Sequence, residues 1–340
     1  MKNSKKYHLA VWIGIFALIC ASLFSFTTNP EKHVHVKSGC APKGCVFLTL
    51  MGEESSDSSF VYKTPERILF NTQAGLDWIV RAQSNNGGWG AGSHSRQEIT
   101  DPHAVPTDPA TTSMVAMALL RNGNTLNKGN YSSQLKRAVE HLLHEVEHAS
   151  ANNPTITDQR GTQIQVKLGA NIDVILTAQF FSNLLDDPTL DQTMKSRVKR
   201  ALNTCVSKIE KAQDHDGSFQ GSGWAGVLQS SFATNALEAA QAKGIDVNDE
   251  VLERSRTFQK GNLDAASGEV KTEMGAGVVL YSVSGSTRAS AKEARKVTEE
   301  FEKAKRDGVL PQNAPVNEAN LEKIGFEKDE AKKYTNAYNV

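Results

Sequence analysis

The stretches GLDWIVRAQSNNGGWG, residues 75–90, and VSKIEKAQDHDGSFQ, residues 206–220, end two predicted helices with the same pattern. A glutamine is followed four positions later by glycine and two positions after that by an aromatic ring. At a helix end, a glutamine can bond backbone carbonyls that lack helical partners, glycine permits a chain reversal, and the ring fills the gap between neighbouring hairpins. The repeat therefore predicts a fold of helical hairpins. Its residues are Gln83, Gly87 and Trp89 in the first copy and Gln213, Gly217 and Phe219 in the second; a looser copy follows Gln259.

Helical periodicity dominates the sequence after Pro65, so we expect an all-α body. One set of predicted helices is amphipathic, and the other is small, apolar and nearly uncharged. A helix that is apolar on all sides must be buried on all sides, which predicts two concentric layers with one helix of each hairpin in each layer. The predicted helices are 66–83, 109–121, 133–149, 169–184, 191–213, 227–242, 249–259, 274–284 and 289–306.

The repeated turn resembles the tryptophan–glutamine repeat of the squalene cyclase and protein prenyltransferase superfamily. Residues 221–259 look especially like the bacterial prenyltransferase/squalene oxidase repeat proteins. The resemblance covers residues 66 to about 306 and implies an α/α toroid. The chain supplies four hairpins and a fifth outer helix, with a polar C-terminal segment over 307–340, so we expect an open or truncated ring. An open edge would offer a surface to a protein partner or a second copy.

Charge and composition narrow the function classes. The chain has 38 basic and 38 acidic residues. Three of the basic residues precede residue 31, so the remaining 35 against 38 acidic residues leave the body at −3. This balance excludes a nucleic-acid-binding protein with an overall basic surface.

The N-terminus predicts membrane attachment. A basic start, residues 1–8, precedes twenty uncharged residues, 9–28, which are long enough to span a bilayer as a helix. The positive-inside rule then places the rest of the chain outside the cytoplasm. We expect a single-pass anchor in the cell membrane; the alternative is a cleaved signal peptide with Ile19 and Ala21 as the cleavage pair.

Residues 29–65 read as a polar linker that contains two cysteines, Cys40 and Cys45. Outside the cytoplasm, this pair is a candidate for a small-loop disulfide. The alternative adds His33 and His35 as ligands for zinc or copper.

The sequence lacks most of the catalytic motifs of the enzymes that it resembles. The chain has no DxDD acid motif, and its one helical body cysteine, Cys205, falls on a predicted outer helix, unlike the zinc ligands of protein prenyltransferases. The cluster Asp186, Asp187 and Asp191 imitates a DDxxD motif, but Pro188 favours Asp187 as a helix cap. Asp173 remains as a candidate acid, because it lies in an otherwise apolar helix.

Two groups of histidines are further site candidates. The long loop 90–113 should bring His94, Asp101 and His103 to the rim of the central cavity. His144, Glu145 and His148 form a His-Glu-x-x-His sequence, which binds zinc in metalloproteases. A helical wheel puts these two histidines and His141 on the face opposite the apolar residues, which favours a solvated surface over a metal site.

The function that this sequence favours is a membrane-anchored, extracytoplasmic binding or assembly module without catalysis and without a cofactor. The alternative is an enzyme that acts on a polyprenyl, lipid or glycan substrate in the central cavity.

Overall fold

The computed structural model describes residues 65–219, 221, 223–264 and 267–338. Within these ranges the regular backbone is helical, without strands. Two 3₁₀ helices, Pro102–Ala104 and Glu273–Gly275, interrupt the loops. The α-helices are α1 Glu66–Arg81, α2 Pro109–Arg121, α3 Ser132–His148, α4 Gln163–Leu168, α5 Ile172–Leu184, α6 Gln192–Lys211, α7 Gly226–Gln241, α8 Asp249–Lys260, α9 Val279–Arg306, α10 Glu318–Lys323 and α11 Lys328–Tyr338.

Some sequence predictions fall on the chain before residue 65. The anchor at 9–28 and the pair Cys40 and Cys45 lie outside the described residues. Among the helices of residues 65–338 that are described, none combines the length and the apolar character needed to cross a membrane.

The helices form two layers. In the inner layer, α2 packs on α5, α5 on α7, and α7 on α9. The inner helices contribute many buried apolar side chains to the main core, and Phe180 and Phe181 of α5 have no exposed surface. The amphipathic helices α3, α6 and α8 cover the inner layer with one face each. This alternation confirms the predicted all-α layering and is consistent with an α/α toroid.

The first repeat turn links two outer helices. The Gln83 side-chain amide donates hydrogen bonds to the carbonyl oxygens of Gly87 at 2.8 Å and Gln134 at 2.9 Å. Gln134 is the third residue of α3, and the Arg137 guanidinium donates to the Gln83 side-chain oxygen. The glutamine therefore bonds a carbonyl at the start of the next outer helix.

The second repeat turn has the same geometry. The Gln213 amide donates to the carbonyl oxygens of Gly217 at 3.4 Å and Val251 at 2.8 Å. Val251 is the third residue of α8, and the Arg254 Nη2 donates to the Gln213 oxygen at 2.7 Å. Two turns far apart in sequence thus share one set of contacts, which supports the predicted repeat.

Glycine and the aromatic ring complete each turn. Gly87 and Gly217 have φ of 89° and 87°, in the left-handed region that favours glycine. A Cβ at either position would collide with a backbone carbonyl of the next outer helix. Trp89 and Phe219 are 4% and 2% exposed and belong to the main apolar core, and the indole nitrogen of Trp89 donates to the carbonyl oxygen of Ile79 at 2.7 Å.

The last inner helix differs from the prediction. We expected separate helices over 274–284 and 289–306, but α9 runs unbroken from Val279 to Arg306. Gly285 lies inside α9 and does not break it. A Cβ at this position would lie 2.8 Å from the Ser231 hydroxyl of α7, so the glycine allows a close helix–helix contact. The left-handed backbone of Ala276, with φ of 52°, delays the start of α9 instead.

The polar segment after α9 packs by a few apolar side chains. Helices α10 and α11 and their connecting loops place Leu310, Leu321 and Ala331 against Phe301 of α9. This small cluster is separate from the main core. The C-terminal half of α9 therefore packs against the C-terminal segment rather than against the main core.

A buried ion pair joins the inner helices α7 and α9. Arg288 Nη2 lies 2.7 Å from Glu238 Oε2, and the two side chains are only 7% and 6% exposed. Arg256 of α8 binds the other carboxylate oxygen at 3.0 Å. Glu238 is thus held between two guanidinium groups, as a buried charge must be.

Candidate functional site

A cavity of about 270 Å³ lies beside the C-terminal end of α3. One wall consists of the last two turns of α3 and carries His144, Glu145 and His148, and the facing wall is the loop that follows the helix. The remaining lining residues are Ala149, Ser150, Asn153, Thr155, Ile156, Thr157 and Asp158.

The α3 wall presents two imidazoles and a carboxylate. The rings of His144 and His148 stack with centroids 4.1 Å apart, and His148 Nδ1 bonds the backbone carbonyl oxygen of His144 at 2.8 Å. The His144 side chain is 64% exposed, whereas Glu145 is 27% exposed. Glu145 therefore sits deeper in the cavity wall than His144.

The loop wall is fixed from behind by two cations. Lys208 of α6, 2% exposed, donates to the carbonyl oxygens of Ser150 and Asn153, both at 2.6 Å. Arg160 donates to the carbonyl oxygen of Thr157 at 2.7 Å. Lys208 and Arg160 thus fix the shape of the loop through its backbone carbonyls. Neither side chain is among the residues that line the cavity.

Burial and a second acid raise the pKa of Glu145. Removal of the carboxylate from water has the larger effect, and the nearby negative charge of Asp158 adds to it, while His144 and His148 oppose the rise. The cavity thus combines two carboxylates with imidazoles that can accept hydrogen bonds when neutral.

The metalloprotease interpretation does not gain support from this geometry. Within the described part of the chain, no group of three or more His, Cys, Asp or Glu side chains is arranged to hold a metal ion. His144 and His148 are exposed, as predicted, but His141 is wrongly placed by the helical wheel: it is 8% exposed, because the turn at Gly88 packs directly on its ring.

The candidate acid Asp173 is part of a buried carboxylate pair. Its side chain accepts hydrogen bonds from Gln165 Nε2 at 2.8 Å and from the Ala110 amide at 3.2 Å. Burial raises the pKa of Asp173 to about 6, and the charge of Asp108 adds to the rise. Asp173 and Asp108 are both 0% exposed. The pair therefore contributes hydrogen bonds between inner helices and presents no surface to a substrate.

Asp108 is the N-terminal cap of α2. Its carboxylate accepts from the Thr111 amide at 2.7 Å at the start of α2 and from the Ala91 amide at 3.1 Å. In contrast, the expected cap Asp187 does not start a helix: it accepts from the Leu126 amide, and α6 begins after Asp191.

The rim residues of loop 90–113 are dispersed over separate contacts. His94 pairs with Gln163 at the start of α4, with 3.2 Å between the ring nitrogen and the amide oxygen. Asp101 caps the short helix containing His103, and the ring of His103 bonds the carbonyl oxygen of Arg81 at 3.1 Å. Each side chain has a local structural partner, so these contacts do not assemble a common site.

The first outer helix leaves part of its apolar face uncovered. Leu76, in its middle, is buried, whereas Ile68, Leu69, Phe70 and Trp78 are 53%, 55%, 73% and 55% exposed. Ile68 and Leu69 lie on the same helical stripe as Leu76. The stripe therefore extends beyond the part of the body that covers it.

Comparisons with known proteins do not assign this chain to a family. No family model matches the sequence, and no curated protein matches it. Among solved structures, the chain is similar to a possible member of the GH105 family from Salmonella enterica subsp. enterica serovar Paratyphi A str. ATCC 9150, with a TM-score of 0.44, 12% identity and 68% of each chain covered. The prenyltransferase or squalene cyclase repeat is not shown by these comparisons.

Sequence reasoning missed the second wall of the cavity. Asp158 and Asn153 lie in a polar stretch without a motif, and only the folded chain brings them opposite His148. A signal was present in the length of polar chain between α3 and α5, which exceeds what a simple hairpin connection needs.

Proposed function

We propose that the protein is a membrane-anchored, extracytoplasmic assembly module that associates with a second copy of itself through the uncovered apolar face of α1. The observation that carries this proposal is the exposure of Ile68, Leu69 and Phe70 at the first helix of the array. Ile68 and Leu69 extend the apolar stripe of the buried Leu76, and exposed apolar side chains of this kind are typical of an interaction site.

The opposite end of the array supports a second copy as the partner. The first turn of α9, the last inner helix, exposes Val279 and Leu280 by 53% and 69%. Each chain thus has an apolar surface at both ends of its helical array. Two copies can cover all four ends if α1 of each contacts α9 of the other, and this arrangement closes on itself as a twofold pair.

The burial of the acids Asp173 and Asp108 supports a binding role over a catalytic one. A general acid must come within hydrogen-bond reach of its substrate. Asp173 and Asp108 are fully buried and are occupied by backbone and side-chain donors. Their arrangement stabilises the inner layer.

The test is photo-crosslinking of the full chain in its membrane. A benzoylphenylalanine at position 70 should give an adduct of twice the chain mass, with the crosslinked peptide containing Val279 or Leu280. The same probe at Asn203, an exposed position of α6, serves as the matched control and should give no such adduct. Leu280→Glu should weaken the adduct from position 70, because it places a charge in the proposed contact.

Two outcomes would overturn the proposal. The first is that the probe at position 70 gives no self-adduct, as the probe at control position 203 does. The second is a strong adduct with a different protein at position 70, which would make that protein the occupant of the α1 face.

A further inference from the structure

We propose that the cavity between α3 and loop 149–158 binds a small organic cation, a primary ammonium or guanidinium group. This inference is independent of self-association through α1, which lies elsewhere on the molecule. Neither the apolar ends of the array nor the repeat turns contribute to the cavity.

The charges of the lining residues favour a positively charged ligand. Glu145 and Asp158 are the two acids of the cavity, and no Lys or Arg side chain lines it. The two carboxylates repel each other, as the effect of Asp158 on Glu145 shows. A bound cation would relieve that repulsion and supply the hydrogen-bond donors that carboxylates need.

The position of the cavity is a second, independent reason to expect a cationic ligand. It lies at the C-terminal end of α3, where the last carbonyl groups point away from the helix and carry the negative end of its dipole. A cation at this end is stabilised, and an anion is disfavoured.

The remaining walls fit an organic ion better than a bare metal ion. The rings of His144 and His148 line one side of the cavity, and Ile156 provides an apolar contact for a short carbon chain. The described side chains do not offer three metal ligands in one place. A volume of about 270 Å³ is at the lower end for ligand pockets, which suits a small molecule.

The loop is built to keep this shape. Lys208 holds the carbonyl oxygens of Ser150 and Asn153, and Arg160 holds that of Thr157. A wall that is ordered before binding loses less entropy when a ligand enters.

The test compares ligands that share a four-carbon chain and differ in charge. Agmatine, 1,4-diaminobutane, butane-1,4-diol and succinate are titrated by calorimetry into the full chain in phosphatidylcholine nanodiscs at pH 8, with empty nanodiscs subtracted. We expect saturable binding of the two cations and no heat from the diol or succinate.

Variants identify the cavity as the site. Glu145→Gln and Asp158→Asn should each weaken cation binding about tenfold, since each removes one charge-assisted hydrogen bond. The double variant should abolish saturable binding. Glu253→Gln, an exposed position of α8, is the matched control and should bind like wild type within about twofold.

Circular dichroism of each variant separates lost binding from lost folding. Equal binding of diol and diamine would overturn the proposal, because charge would then play no part. Unchanged cation affinity in the folded double variant would also overturn it, because the binding would then lie elsewhere.

Discussion

Gln83 and Gln213 make the same pair of contacts in two separate turns. Each donates to the carbonyl oxygen of the turn glycine and to that of the third residue in the next outer helix. Each also accepts from an arginine one turn further along that helix. The shared geometry identifies the turn as a structural unit of the fold and gives its aromatic residue a testable role.

Replacing the turn aromatics should destabilise the body. Trp89→Ala and Phe219→Ala each remove a ring that is almost fully buried, and each should lower the free energy of unfolding by about 3 to 5 kcal/mol. Urea unfolding measures this change. Trp224→Ala is the matched control, because Trp224 is 61% exposed; its effect should stay within about 0.5 kcal/mol. Equal effects at all three positions would refute the assigned role.

Removing the buried carboxylate at Glu238 should be costly. Glu238→Gln leaves Arg288 buried without a counter-charge, and we expect a loss of about 3 to 5 kcal/mol in unfolding free energy. Glu250→Gln, whose exposed pair with Arg254 spans 3.8 Å, should cost no more than about 0.5 kcal/mol. Thermal and urea unfolding compare the two. A cost at position 238 as small as that at position 250 contradicts the buried-pair interpretation.

The contribution of Asp173 to the stability of the protein should fall between about pH 4 and pH 6. The pKa of Asp173 rises from 3.8 to about 6 on folding, so within this window the folded chain keeps a proton that the unfolded chain has lost. More protons bound in the folded state mean that stability decreases as pH rises and then levels off above pH 6. Burial raises the pKa of Asp108 in the same direction. Asp173→Asn should show a shallower decrease in urea unfolding across this range, and a slope equal to that of the wild type would be evidence against the assignment.

The three residues His144, Glu145 and His148 of α3 should tolerate replacement. Changing His144, Glu145 and His148 together to glutamine leaves the apolar face of α3 intact, so stability should shift by no more than about 0.5 kcal/mol. The dialysed wild type should hold no stoichiometric zinc. One tightly bound zinc in the wild type and none in the variant, measured by metal analysis, would instead support the metalloprotease interpretation.

The N-terminal segment should keep the chain in the membrane. We expect full-length protein in the membrane fraction, and a soluble body after cleavage near residue 30, because residues 9–28 are uncharged. Fractionation with N-terminal sequencing checks both. An intact soluble form that begins near Ser22 would show a cleaved signal peptide instead.

Local patterns predicted the helices and the repeat, because both depend on nearby residues. The spacing of apolar residues identified the layers, and the glutamine, glycine and aromatic residues identified the turns. The break expected inside α9 was wrong because Gly285 serves a contact with Ser231, which only the packed helices reveal. The site also depends on contacts between segments. The turn at Gly88 packs on His141, and the loop after α3 places Asp158 in the cavity that Glu145 lines. Only the length of that polar loop was visible in the sequence.

The matching turns at Gln83 and Gln213 also bear on how such a chain can change length. Each turn ends one outer helix and bonds the start of the next outer helix with the same donors and acceptors, so the helices that lie between the two turns form a block with compatible ends. A duplication or loss of that block would rejoin Gln83 to Arg254, or Gln213 to Arg137, with the hydrogen bonds of the junction preserved. Chains of this architecture can therefore gain or lose hairpins in whole units without a new turn having to evolve.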